Sequence, residues 1–366
     1  MDKAKPNPQR ITRFIAAFED ASGIAVTSWA YPRSQSKTSV SAPDLHLRVT
    51  TEGGEIDIVA MVRGEGYPRD IRDAVWRLEE FQRSHTDGKS MIPMVIAEHL
   101  SPGARELLRS RNIGYFDASE SLFLKHRQWL INIDRPDKPA RQRRAASLFT
   151  GAREQVIHAL LWSTVQTQAK WLNGLELAQL AETSTYTVSL TLQELQRMEW
   201  VESDGSGRTL RRRLTEPGKL LDAWADSWRT RTEAKSRWYV YPPKPQLLLS
   251  HLSEKIHEHG LDDWAYTGES AANAMAPLLT GTDTGEIVVP PGRADLYAEL
   301  MGLKGAEKGS NVTLVERRGA SLLLQQSRPG DSSRFVSPFI LYLDLQDGRG
   351  RRKELASHLR STILKI

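Results

Sequence analysis

The chain has no cysteine in 366 residues, which excludes disulfides, thiolate zinc sites and cysteine nucleophiles and fits a compartment that keeps thiols reduced. It also lacks any run approaching ~18 apolar residues, so no membrane span is expected. The first residues, Met-Asp-Lys-Ala-Lys-Pro, carry no apolar stretch of the kind that opens a secretory signal, and a cytoplasmic location is expected. A strong charge imbalance is missing too. Fifty Lys and Arg stand against 45 Asp and Glu, a net +5 that can help attract a polyanion but identifies none. What is there is 39% hydrophobic and 26% charged residues at a mean hydropathy of -0.46, the profile of an ordinary globular protein rather than a disordered or collagenous one. At roughly 100 to 200 residues per domain, the length points to two or three domains.

The pattern along the chain predicts an α/β multi-domain protein. Residues 1–133 form an α/β domain. A short helical period runs over Ile11 to Phe18, and Leu45 to Thr50 and Ile56 to Val62 read as a hairpin around Glu52-Gly53-Gly54. Ile71, Val75, Leu78 and Phe81 mark a helix, and Met91 to Ala97 is the apolar run of a buried strand, with Pro93 a mild objection. Ser101-Pro102 opens another helix before Tyr115 to Leu124 returns to strand. Residues 134–150 read as a basic linker, with Arg135, Lys138, Arg141, Arg143 and Arg144. A helical domain with a short β pattern spans 151–232, and a mixed α/β domain spans 238–366. No internal repeat is present.

The central domain carries the most informative pattern. Arg153 to Leu161 is a helix, and Asn173-Gly174-Leu175-Glu176 supplies a cap with an acid three positions on, opening a second helix. After Thr183-Ser184 the third helix, Thr185 to about Glu199, buries Val188, Leu192 and Leu195 and leaves the opposite face free. That face and its first turn carry Thr185, Tyr186, Thr187, Ser189, Gln193 and Arg197. The B-DNA major groove admits a helix, hydroxyls bond base edges or phosphates, and Gln pairs bidentately with adenine. A strand from Trp200-Val201, a turn at Asp204 to Gly207 and a return over Thr209 to Leu214 then make a wing, whose Arg208, Arg211, Arg212 and Arg213 are expected to neutralise phosphates. Double-stranded DNA is the expected partner, an inverted repeat being one form the operator can take. The domain resembles winged helix-turn-helix repressors at Leu180-Ala181, Ser184, Thr187-Val188-Ser189, Leu192, Leu195 and Trp200-Val201, and departs from them at Leu190, where a basic residue is common. A winged helix used for protein contact is the alternative; it predicts no salt-sensitive duplex binding.

Catalytic sets are incomplete. Pro43-Asp44 and Glu55-Ile56-Asp57 resemble the motif of restriction-endonuclease-like folds, but Asp57 stands where the motif expects lysine, so the group that would polarise water is not supplied. A metal-dependent nuclease using Asp44, Glu55 and Asp57 is the rival reading. Tyr266-Thr267-Gly268-Glu269-Ser270 resembles the Gly-Ser turn of nucleotidyltransferases, yet Ala271-Ala272-Asn273-Ala274 follows where a carboxylate pair is needed, and Asp344 is a lone later acid. His251, His257 and His259 share one helix but the last two point apart, so surface histidines are expected. No enzyme, metal or cofactor is therefore expected.

Three stretches together resemble the AbiEi-type antitoxin regulators of type IV toxin–antitoxin systems. They are Ile92-Pro93 to Leu124, the winged helix, and a C-terminal series: Tyr266 to Ala272, Asn311 to Leu314, Val336-Ser337-Pro338, Tyr342 to Leu345 and Gly350 to Ala356. The N-terminal domain is larger than such antitoxins usually carry. The resemblance implies a DNA-binding autorepressor with a nucleotidyltransferase-like C-terminal domain, opposing a nucleotidyltransferase toxin. The N-terminal domain is expected to be a catalytically inactive restriction-endonuclease-like fold.

Overall fold

The computed structural model describes residues 8–30, 42–51, 54–85, 90–127, 129–136, 147–168, 171–242, 244, 247–281, 283–327, 332–346 and 350–366. Most of the basic stretch read as a linker, including Lys138, Arg141, Arg143 and Arg144, lies outside the described residues. The chain is α/β with mixed sheets, and it divides into two compact units. One comprises 1–142 with Leu195–Glu199, the other 143–194 with 200–366.

In the first unit the elements run α1 (Pro8–Ser22), β1 (Val26–Ala30), β2 (Leu45–Thr51), β3 (Gly54–Gly66), α2 (Pro68–Ser84), β4 (Ser90–Leu100), α3 (Pro102–Ser110), β5 (Gly114–Phe116), β6 (Leu122–His126) and β7 (Trp129–Ile133). The seven strands lie side by side in chain order. β3, β4 and β5 are parallel because the helices α2 and α3 carry the chain back between them; the other neighbouring strands pair antiparallel. The parallel centre is buried on both faces, so β4 reads as a continuous apolar run. On one face Ile11, Phe14 and Phe18 of α1 pack on Leu47, Ile58, Met94 and Leu124; on the other, Ile71, Leu78 and Leu108 of α2 and α3 pack on Val59, Val95 and Tyr115. Ser101 caps α3, its Oγ accepting from the Ala104 N–H at 3.3 Å. Pro93 is accommodated inside β4, one residue before pairing with β5 begins at Met94. The stretch from Tyr115 to Leu124 is two strands rather than one. Asp117 turns the chain by accepting from the Ser119 N–H at 2.9 Å, and Glu120 sits at φ 65.

The second unit runs α4 (Gly151–Val165), β8 (Leu172–Asn173), α5 (Gly174–Leu180), α6 (Thr185–Arg197, its last turn counted with the first unit), β9 (Val201–Asp204), β10 (Arg211–Leu214) and α7 (Pro217–Trp228). It continues with β11 (Ala234–Tyr239), α8 (Leu248–His257), β12 (Ala265–Thr267), α9 (Gly268–Met275), β13 (Gly285–Val289), α10 (Ala294–Met301), β14 (Lys304–Gly305) and β15 (Val312–Glu316). The last elements are β16 (Gln326–Ser327), β17 (Arg334–Phe335), α11 (Pro338–Leu345) and α12 (Arg351–Leu359). A small sheet is ordered β8-β10-β9, and a mixed sheet β14-β11-β15-β13-β12-β17-β16. Every residue of α11 is buried, so it is a core helix and shows no amphipathic period. No described helix is long and apolar enough to cross a membrane.

Candidate nucleic-acid interface

The three helices α4, α5 and α6 and the β9–β10 hairpin form from local signals. Asn173 caps α5 through a full capping box, its Oδ1 accepting from the N–H groups of Leu175 and Glu176 at 3.0 and 2.8 Å while Glu176 reaches back to the Asn173 N–H. At the other end of α5, Glu182 takes φ 48 and the Thr183 N–H donates to the Ala178 carbonyl at 3.0 Å, closing the helix with a Schellman turn. Two residues later Ser184 caps α6, accepting from the Thr187 N–H at 3.1 Å. The turn between the helices is therefore only a few residues long, and α6 starts with Thr185 and Tyr186 exposed.

Along α6, Val188, Thr191, Leu192 and Leu195 are buried, while Thr185, Tyr186, Gln193 and Arg197 are exposed and Thr187 and Ser189 half-buried. Tyr186 stands out at 72% exposure, an aromatic ring left in water at the first turn of a helix. Gln193 donates to the Ser189 Oγ at 3.4 Å, so these two share one patch. Arg197 lies about 18 Å further along the helix axis than Thr185, at 1.5 Å per residue. Its guanidinium is 4.9 Å over the Tyr67 ring and 3.7 Å from Asp70.

The hairpin turn needs glycine at one point. Gly205 has φ 78, and a Cβ there would come within 2.7 Å of the Thr209 carbonyl oxygen. The arginines are not equivalent. β10 alternates, so Arg211 and Arg213 face outward, while Arg212 points inward with Leu214 and is 8% exposed. Burial lowers the Arg212 pKa from its ordinary value, and its Nε has no hydrogen-bond partner. Arg212, expected to reach a phosphate with its neighbours, instead has its side chain in the interior, turned there by the strand alternation. Arg213 pairs with Glu202 and lies 5.2 Å over the Trp171 ring. Arg208 lies in the short helical turn Gly207–Thr209; its side chain is outside the described residues.

The candidate carboxylates are held by arginines. Asp57 accepts from Arg48 at 2.8 Å and has His46 at 3.4 Å, Glu55 lies 3.6 Å from Arg48, and Asp44 accepts from Arg63 at 3.1 Å and from the Val62 N–H at 2.8 Å. No group of three metal-ligating side chains occurs among the described residues. Asp344 lies in a buried polar network. It is 2.7 Å from Arg317 and accepts from Trp228 Nε1 at 3.0 Å and from the Thr267 hydroxyl. Arg317 also holds Glu233 at 2.7 Å. Burial works against the Arg317 charge, but the two carboxylates outweigh it and raise its pKa. Beside this, Glu154 of α4 accepts from Trp224 Nε1 at 2.7 Å and pairs with Arg231; its own pKa is raised because burial outweighs the arginine. Sequence reading did not reach this network, whose members are up to 116 residues apart.

Residues 213–365 match the family described as "Transcriptional regulator, AbiEi antitoxin, Type IV TA system". The class thus indicated is a regulator of transcription. Within that class, the match is to the AbiEi antitoxins of type IV toxin–antitoxin systems, the family that the C-terminal motifs resemble. The match begins inside β10 and covers less than half of the chain; α4 to α6 and the first unit lie outside it. No curated protein and no solved structure matches the chain.

Proposed function

We propose that the protein is a DNA-binding autorepressor and the antitoxin of a type IV system, with α4 to α6 and the β9–β10 hairpin acting as a winged helix-turn-helix. The observation that carries this reading is the exposure of Thr185 and Tyr186 at the first turn of α6, together with the outward turn of Arg211 and Arg213 in the hairpin that follows it in the chain. Thr185, Tyr186, Thr187, Ser189 and Gln193 read base edges in the major groove; Arg211, Arg213 and Arg208 neutralise phosphates. Arg197, already near Asp70, is assigned a phosphate at the margin of the footprint. Two copies bind an inverted repeat.

The C-terminal mixed sheet is the nucleotidyltransferase-like antitoxin half, with Asp344 committed to Arg317. The first unit is a restriction-endonuclease-like fold whose Asp44, Glu55 and Asp57 serve arginines rather than a metal. Nothing favours the nuclease reading over this one. A gel shift on the region upstream of the gene tests the proposal: binding should resist competitor DNA and weaken steeply with salt. Equal affinity for that region and for random duplex would overturn it. Co-expression with a nucleotidyltransferase toxin encoded next door tests the antitoxin role, which fails if growth is not rescued.

A further inference from the structure

The strongest unexplained feature of the first unit is an open pocket of about 580 Å³ where α3 ends and the sheet continues without it. Strand alternation builds it. Phe123 and Lys125 of β6 point to the α3 face, and the register sets Asn132 beside Phe123 and Leu130 beside Lys125 on β7. Helix α3 covers Tyr115 but stops at Ser110, so this corner has no helix over it. Leu130 is 66% exposed, a large apolar side chain facing water.

Arg109, in the last turn of α3, closes one side. Its guanidinium lies 5.5 Å from the Phe123 ring centroid and 5.6 Å from that of Tyr115, and it donates to the Asn132 Oδ1 at 3.2 Å. The cation is thus preset over an aromatic floor, with part of its side-chain freedom already lost. Asn112 supplies a second amide at the rim. Among the described residues no carboxylate lines the pocket, so Arg109 and Lys125 give it one sign of charge.

The geometry points to a binding site for a nucleoside phosphate. Arg109 and Lys125 hold the phosphate, the exposed Leu130 offers an apolar surface to a flat base, and the amides of Asn112 and Asn132 match base edges. The volume lies within the ~300 to 1,000 Å³ of small-molecule sites. This site is independent of the duplex-reading surface proposed above. The nucleotide can be free or the exposed end of a single strand, and the same chemistry serves both.

Equilibrium dialysis of the full chain against the four ribonucleoside monophosphates, and separately against a short single-stranded thymidine oligonucleotide, tests it. At least one monophosphate should bind saturably, and its nucleoside without phosphate about tenfold more weakly or less. Lys125→Glu, on an exposed sheet position, should weaken binding by about tenfold at an unchanged far-UV spectrum and thermal midpoint. Asn132→Ala should change which base is preferred. If only the oligonucleotide binds and Lys125→Glu abolishes it, the natural ligand is a strand end. No saturable binding of any probe, or binding that both variants leave unchanged, overturns the proposal.

Discussion

The clearest quantitative consequence concerns His158. Its side chain lies wholly inside the second unit, beside Trp224 and Phe339 and 2.5 Å from the Ser337 hydroxyl. Burial lowers its pKa from 6.5 to about 3. Because the folded value lies below the unfolded one, the unfolded chain takes up a proton first, and stability is lost as pH falls below 6.5 toward the folded value. By about pH 5 the loss from this one group is ~2 kcal/mol, since each unit below the unfolded pKa is ~1.4 kcal/mol. Urea unfolding followed by tryptophan fluorescence at about pH 7.5 and pH 5, for the native chain and for His158→Gln, gives the difference directly. The glutamine keeps a polar partner for Ser337 but has no proton to gain. The native chain should lose ~2 kcal/mol more than the variant between the two pH values. If both lose equal stability, His158 is not buried in its neutral form and the reasoning is refuted.

Three further outcomes follow from the same structure. Arg317→Met leaves Asp344 and Glu233, whose side chains are 2% and 13% exposed, without their shared cation; denaturation should show a loss of ~3 to 5 kcal/mol, much of it recovered when both acids are also made amides. Arg211→Ala should weaken every duplex equally and reduce the salt slope by about one, while Arg212→Ala leaves that slope unchanged and lowers stability instead. Gln193→Ala should cost roughly 1 to 3 kcal/mol on a preferred site and nothing on random duplex; equal losses on both would remove Gln193 from the base-reading set.

How far the sequence carried depended on whether a signal was local. The caps at Asn173, Ser184 and Ser101 form as their short spacing predicts. The glycine turn of the hairpin was equally plain, because Gly205 sits at a φ that other residues avoid. Edge strands were not legible. β1 has one half-buried and four exposed residues, so no alternation marks it, and β7 reads Trp-Leu-Ile-Asn-Ile, with too little polarity to show a period. The break between β5 and β6 escaped notice because Asp117 to Glu120 contains neither glycine nor proline; Glu120 itself adopts the left-handed conformation. Among the candidate site residues, exposure of the α6 face follows from its apolar stripe, but the inward turn of Arg212 needed the alternation to be carried through from Leu214. The partners of Asp344 are set by tertiary packing between distant segments, which no local pattern announces.

The burial of Trp228 against Asp344 carries a consequence for biosynthesis. Helices α4 and α7 complete their inner surface only with α11, which leaves the ribosome more than a hundred residues after Trp228 has been added. A nascent chain that has translated its helical segment still lacks the lid over its own tryptophans. A product terminated before Ser337 and α11 leaves Trp228 Nε1 without its carboxylate partner and the buried side of His158 without the Ser337 hydroxyl.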